Sequence, residues 1–207
     1  SILYMSSSKK ETDPNEKLAE LFKIYMEKLY TFSDNKTPEL EVKFGTKGIR
    51  AINKSNFDRV IKTLLNFGFK QGDTEQYLLR TSLDIDDKKV ANDYRNVRLE
   101  INGLKNIQDY CISNAVPDGA LDKNFQFVEK ELFSQGGTTY YPVDFADHNF
   151  RVTYNIEHSM SSTSEPIQKL LSNWKTSKKV FRYLKRYRLT HSDYPFAVDL
   201  SIVKSTP

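Results

Sequence analysis

Two glutamates stand two residues apart in the extended-looking segment Glu39-Leu40-Glu41-Val42-Lys43-Phe44. Alternate side chains of a strand share a face, so Glu39, Glu41 and Lys43 oppose Leu40, Val42 and Phe44. Paired carboxylates at that spacing can grip one hard cation such as Mg²⁺ or Mn²⁺, which keeps waters and takes phosphate oxygens as its other ligands. The same division recurs along the chain. Arg80, Ser82 and Asp84 oppose Leu79, Thr81 and Leu83, and Arg98 and Glu100 oppose Val97, Leu99 and Ile101. Arg151, Thr153, Asn155 and Glu157 oppose Phe150, Val152, Tyr154 and Ile156. Arg182, Arg186 and Arg188 oppose Phe181, Tyr183, Tyr187 and Leu189, with Leu184 and Lys185 breaking the pattern, and Asp199 and Ser201 oppose Val198, Leu200 and Ile202.

A sheet with one solvated face produces similar alternation. Two features favour a site instead. Arginine, whose planar fork of donors matches phosphate, dominates these positions over lysine, the commoner solvated cation. The Glu39–Glu41 pair also offers a cation grip. Closed into a barrel of about eight strands, such a sheet turns its charged faces into a narrow lumen. Buried charges are costly unless they pair or bind a metal or an anion. Carboxylates would hold the metal, and arginines would hold phosphate oxygens and stabilise charge as a terminal phosphoryl group departs.

The elements that must position these residues follow from periodicity. Strands are expected at Glu39–Gly45, Tyr77–Ile85, Asn96–Ile101, Phe150–Glu157, Phe181–Leu189 and Val198–Lys204, with a weaker one at Phe125–Phe133. Helical spacing marks Asn15–Tyr30, Ser55–Phe67 with Ser55 as its cap and Gly68 as its stop, and Lys105–Ser113. Ala115–Asn124, Gly136–Tyr141 and Ser159–Pro166 read as loops, and residues 1–15 as a frayed polar start.

Composition bounds the class. The 207 residues are 38% hydrophobic and 28% charged, as expected of a folded domain, and the 12 Tyr and 13 Phe favour sheet. The net charge of +4 decides nothing about partners. No apolar run is long enough to span a bilayer, and the start does not read as a secretory signal. One cysteine, Cys111, excludes an internal disulfide and reads as a buried structural residue of a reducing compartment.

Taken in order, Glu39-x-Glu41-x-Lys43, FRVTYNIE, the basic KRYRL and VDLSIVKST resemble the triphosphate tunnel metalloenzymes, or CYTH superfamily. The likeness is strongest to the RNA 5′-triphosphatases of fungal and large-DNA-virus mRNA capping. It covers roughly residues 37–207, with Lys105–Asn149 matching nothing in the family pattern. The resemblance implies an α+β fold, an antiparallel eight-stranded β-barrel with flanking helices, preceded by an extension and packing helix over residues 1–36. It implies a hydrolase that removes the γ-phosphate of triphosphate-ended RNA. Carried over by position, Glu39 and Glu41 would ligate Mg²⁺ or Mn²⁺. Lys43, Arg80, Arg98, Arg151, Arg186 and Arg188 would meet phosphates, with Lys185 replacing Arg186 if a bulge shifts the strand. Glu157 would orient or deprotonate the attacking water, and Asp199 would act near the metal or its waters. The implied partners are triphosphate-ended RNA and guanylyltransferase and methyltransferase domains or subunits, with no membrane. The implied location is intracellular: cytoplasm, viral factory or virion, or the nucleus of a cell.

Two departures stand out. Ala197 occupies a position where relatives often carry arginine, and the family's second ExE strand, expected after VDLSIVKST, is not found before Pro207. Glu129 and Glu131 have the spacing but come too early, so the last strand is expected to be missing from this chain. Two other function classes remain: an inorganic tripolyphosphatase or nucleoside-triphosphate phosphohydrolase, and a non-catalytic subunit binding an anion or serving assembly through a degenerate tunnel.

Other chemistry is excluded by what is absent. Pro117 stands where a cysteine phosphatase needs arginine after Cys111, and Val116–Gly119 lacks a guanylyltransferase lysine. Gly136-Gly137-Thr138 lacks the P-loop lysine, and His148, His158 and His191 lack metal-ligand spacing. Trp174, Tyr183 and Tyr187 read as packing residues, while Lys175–Arg188 could track RNA beyond its first phosphates.

Overall fold

The computed structural model describes residues 13–45, 52–72, 76–83, 96–117 and 124–206. Asp84, residues 1–12 of the expected extension and residues 118–123 of an expected loop lie outside them. The described elements are α1 (Pro14–Lys28), β1 (Lys36–Phe44), α2 (Lys54–Asn66), β2 (Lys70–Gln71), β3 (Gln76–Leu83), β4 (Val97–Asn102), α3 (Leu104–Ser113), β5 (Phe125–Leu132), β6 (Ser134–Gln135), β7 (Thr138–Thr139), β8 (Val143–Phe145), β9 (Phe150–Met160), α4 (Glu165–Ser172), β10 (Lys179–Thr190) and β11 (Ala197–Ser205). The class is α+β, with antiparallel sheet and flanking helices as expected.

Two compact units divide the chain, one from residues 1–51 and 132–156, the other from residues 52–131 and 157–207. In the first, β1 and β8 both pair with β9. Helix α1 starts at Asp13, whose carboxylate accepts the Asn15 amide at 3.0 Å, and buries Leu21 against Phe133, Val152 and Tyr154. Leu40 of β1 joins that core, which fixes Glu39, Glu41 and Lys43 on the opposite face. The GlyGly stretch read as a loop closes a hairpin: Gly136 and Gly137 take φ values of 57° and 80° between β6 and β7, a turn that side chains disfavour.

The second unit is built on the strand order β5-β4-β3-β10-β11, with β2 on the edge of β10 near its end. Leu79, Leu99, Ile101 and Phe127 turn to one face and pack against Ile107 and Tyr110 of α3, Ile167 and Leu170 of α4, and Trp174. Tyr110 is pushed up to about 12, chiefly by burial, and its hydroxyl accepts the Trp174 indole N–H at 3.0 Å. Trp174 is therefore a core residue, as its sequence context suggests.

Helix α4 escaped the sequence reading, although Ser164, Pro166 and the apolar spacing Ile167, Leu170, Leu171 signal it. Asn53 caps α2, accepting the Asn56 amide at 2.8 Å, two residues before the expected Ser55. Its C-terminus is a Schellman motif, with Phe69 N bonded to Leu64 O at 3.0 Å and Gly68 N to Leu65 O at 3.1 Å. Gly68 supplies the required φ of +88°, and a Cβ there would meet His191 Nε2 at 3.0 Å. Cys111 is exposed, contrary to expectation, because Ile107 and Tyr110 define the buried stripe of α3 and Cys111 follows just off it.

Candidate active site

In the second unit the face opposite the helices is charged. Register places Arg80 opposite both Glu100 of β4 and Arg182 of β10, so these three share a face. Arg98 lies two residues from Glu100 on the same face. Arg186 and Arg188 lie opposite Ser201 and Asp199, and that pairing runs without a bulge from Arg182 to Thr190. Parity therefore assigns Arg186 to this face. Lys185 falls on the other, its ammonium 5.9 Å from the Tyr77 ring centre and 5.6 Å from that of Tyr187. Leu184 does share the charged face, where it is buried opposite buried Leu78.

The ion pairs form a chain. Glu100 Oε1 accepts from Arg98 Nε at 2.6 Å and lies 3.0 Å from Arg80 Nε. Arg98 Nη2 donates to Glu157 Oε1 at 2.6 Å, and Lys130 Nζ lies 3.5 Å from that same oxygen. Further along β10, Arg188 makes a two-pronged pair with Asp199 at 2.8 and 2.9 Å, and Arg186 Nη1 stands 3.6 Å from Asp199 Oδ2.

Several cations share few carboxylates among the described residues. Arg80, Arg98, Lys130, Arg186 and Arg188 share three carboxylates, those of Glu100, Glu157 and Asp199. Burial pulls the Arg80 pKa below its ordinary value, opposed by Glu100 and reinforced by the charges of Arg98 and Arg186. Burial also works against the Arg98 charge, but Glu100 and Glu157 outweigh it and the pKa lies above the usual value. Burial alone would raise the Glu157 pKa. The Arg98 hydrogen bond, with Lys130 and Arg80 nearby, reverses that and holds it below the ordinary carboxylate value. Glu157 is thus an ionised acceptor at neutral pH.

The Nε atoms of Arg80 and Arg186 are buried without a hydrogen-bond partner. For Arg80 the nearby Glu100 oxygen satisfies the distance but not the direction of a bond. Two buried guanidinium donors left over, in a cluster rich in arginine, fit an anion with several oxygens.

No protein-family model matches the chain, and comparison with curated protein sequences gives no match. Solved structures do resemble it. One is the RNA triphosphatase domain of a trifunctional mimivirus mRNA capping enzyme, with a TM-score of 0.55 at 18% identity, covering 94% of this chain and 80% of that one. A triclinic form of the mimivirus capping enzyme triphosphatase gives 0.54 at 17%, and a monoclinic form 0.55 at 18%.

The chain has the fold of these capping-enzyme triphosphatases. On that fold, the unit-two face gathers Arg80, Arg98, Glu157, Arg186, Arg188 and Asp199 of the residues expected from sequence. Lys185 is on the opposite face of β10, and Glu39, Glu41, Lys43 and Arg151 lie in the first unit. Glu39 and Glu41 share a face of β1, with Glu41 paired to Lys43 at 2.9 Å. Arg151 is held by Asp144 of β8 through two bonds of 2.6 Å. Among the described residues no three His, Cys, Asp or Glu side chains form a metal-binding group. Glu39 and Glu41 nevertheless fit a hard cation as a pair of carboxylates whose remaining ligands would be water and phosphate oxygen.

Glu100 and Lys130 were not singled out. Glu100 had a legible signal, since it shares strand parity with Arg98, but only the fold shows it bridging Arg98 and Arg80. Lys130 belongs to the weakest strand pattern, and its approach to Glu157 spans 27 residues of chain.

Proposed function

We propose that this protein is an RNA 5′-triphosphatase of mRNA capping, hydrolysing the γ-phosphate of triphosphate-ended RNA. The observation that carries the reading is the pair of buried, unpartnered Nε atoms of Arg80 and Arg186 on the charged β3–β4–β10 face. The pairing of Arg80 directly opposite Arg182 adds to it, since like charges at facing positions repel unless an anion lies between them.

Arg80, Arg98, Arg186 and Arg188 would hold the non-bridging oxygens and stabilise negative charge as the terminal phosphoryl group transfers to water. Glu157, ionised and fixed by Arg98, would accept a hydrogen bond from the attacking water and align it. Asp199 keeps Arg188 extended in its two-pronged pair. Glu39 and Glu41 would hold Mg²⁺ or Mn²⁺, which when bound supplies a Lewis acid for phosphate oxygen. Lys43 and Arg151 are assigned as further phosphate contacts, each now paired with a carboxylate that an incoming phosphate would displace.

The test is release of γ-labelled phosphate from triphosphate-ended RNA with Mg²⁺ or Mn²⁺, alongside calorimetric binding of tripolyphosphate. The expected result is metal-dependent release that Glu41→Ala and Arg186→Ala each abolish. If neither substrate is cleaved and tripolyphosphate does not bind, the reading is wrong. Cleavage of tripolyphosphate with no preference for RNA would reassign the substrate.

A further inference from the structure

Glu100 sits in the middle of the arginine face. Register lines up Gln126 of β5, Glu100 of β4, Arg80 of β3 and Arg182 of β10 across the sheet. Arg98 precedes Glu100 by two residues and shares its face. Glu100 is buried. Apolar residues of similar volume often replace a buried ion pair with no loss of stability, so stability is a poor reason for a glutamate here.

A single oxygen makes both contacts. Glu100 Oε1 accepts from Arg98 Nε at 2.6 Å and stands 3.0 Å from Arg80 Nε. Both contacts are at Nε, so neither uses a terminal Nη group. Arg98 Nη2 donates to Glu157 at 2.6 Å, which fixes that guanidinium at two points. Among the described residues Arg80 pairs with Glu100 alone, leaving its Nη groups for another ligand.

Charge balance and positioning make opposite demands once a triphosphate is bound. The triphosphate brings negative charge of its own and would replace Glu100 as the counter-charge of both arginines. A carboxylate touching those arginines also repels it. As a device for binding, Glu100 works against the ligand. What the ligand cannot replace is a fixed geometry. Stabilising charge that develops during transfer needs donors already aimed at it, and a long arginine side chain has many rotamers unless it is held.

We infer that Glu100 is a positioning residue, fixing Arg80 and Arg98 for the transferring phosphoryl group at some loss of affinity for the bound triphosphate. This rests on the triphosphatase reading for the reaction that the two arginines serve.

The experiment compares wild type, Glu100→Gln and Glu100→Asp in Mg²⁺. It reads kcat and KM for γ-phosphate release from triphosphate-ended RNA, and calorimetric binding of imidotriphosphate as a non-hydrolysable probe. Circular dichroism checks that each variant folds. Glu100→Gln keeps the shape and removes the charge. It is expected to lose roughly a hundredfold in kcat while binding imidotriphosphate at least as tightly as wild type. Glu100→Asp keeps the charge but draws the carboxylate back by a methylene, and should lose a similar factor in kcat. A residue that only balanced charge would be rescued by aspartate. Unchanged kcat in Glu100→Gln or full turnover in Glu100→Asp would overturn the inference. So would a loss of imidotriphosphate affinity that matches the loss of kcat. If Glu100→Gln does not fold, Glu100→Asp alone decides. If wild type binds imidotriphosphate but releases no phosphate from RNA, the hydrolase reading falls and takes the positioning role with it. Wild-type turnover that survives Glu100→Gln removes the positioning role and leaves the hydrolase reading intact.

Discussion

Replacing Arg98 by methionine tests the central ion chain. The substitution keeps much of the aliphatic stem but removes the donors that hold Glu100 and Glu157 at 2.6 Å. Arg98 and Glu100 are only 14% and 11% exposed, so the vacated carboxylates cannot simply hydrate. Breaking a buried pair from one side costs about 3–5 kcal/mol. Two cations remain to soften the loss, Arg80 at 3.0 Å from Glu100 and Lys130 at 3.5 Å from Glu157. The expected deficit at neutral pH is therefore about 2–3 kcal/mol.

Its pH dependence has a defined sign. The folded pKa of Glu157 is depressed below 4.5, so its stabilisation is present above that value and lost as pH falls through the folded pKa. Without Arg98 the largest favourable contribution to that depression is gone. The variant's deficit should then shrink in acid, once the carboxylate is protonated in both proteins. Urea unfolding of wild type and Arg98→Met at neutral pH and near pH 3 measures both quantities. A deficit below about 0.5 kcal/mol, or one that is the same at both pH values, would refute the coupling of Arg98 to ionised Glu157.

Asp199→Asn should change stability by less than about 1 kcal/mol, because Arg188 is 52% exposed, yet lower γ-phosphate release at least tenfold by freeing Arg188 from its position. Kinetics and urea unfolding of the same variant separate the two effects. Trp174→Phe removes the indole N–H that donates to the buried Tyr110 hydroxyl, leaving only its longer 3.5 Å bond to Asn114 Oδ1, and should cost about 1 kcal/mol in urea unfolding. Because Tyr110 is held up to about 12 when folded, stability should fall as pH rises above its ordinary value of 10.0, and alkaline titration of tyrosine absorbance checks this. Asn149, at φ 52°, also accepts the Gly45 amide at 3.0 Å. Asn149→Ala should lose about 1 kcal/mol while Asn149→Gly loses little, a difference of a few degrees in thermal unfolding.

Alternation determined which residues share a face, because parity along an extended strand is a local property of the backbone. Arg80, Arg98, Glu157, Arg186 and Asp199 could be grouped from the sequence for that reason, and the bulge-free register of β10 kept Arg186 in and Lys185 out. The helical stripes of α1, α2 and α3 were legible on the same grounds. Contacts between strands were not. Glu100 became the bridge between Arg80 and Arg98 because β3 and β4 pair in one particular register, and Lys130 reached Glu157 only through the packing of distant segments. An aromatic cluster likewise joins Phe69, which follows α2, to Tyr194 and Phe196 of the β10–β11 hairpin more than a hundred residues later. Sequence thus fixed each strand's two faces, and tertiary structure chose which charges meet, since pairing register and side-chain contact depend on residues that the local chain does not contain.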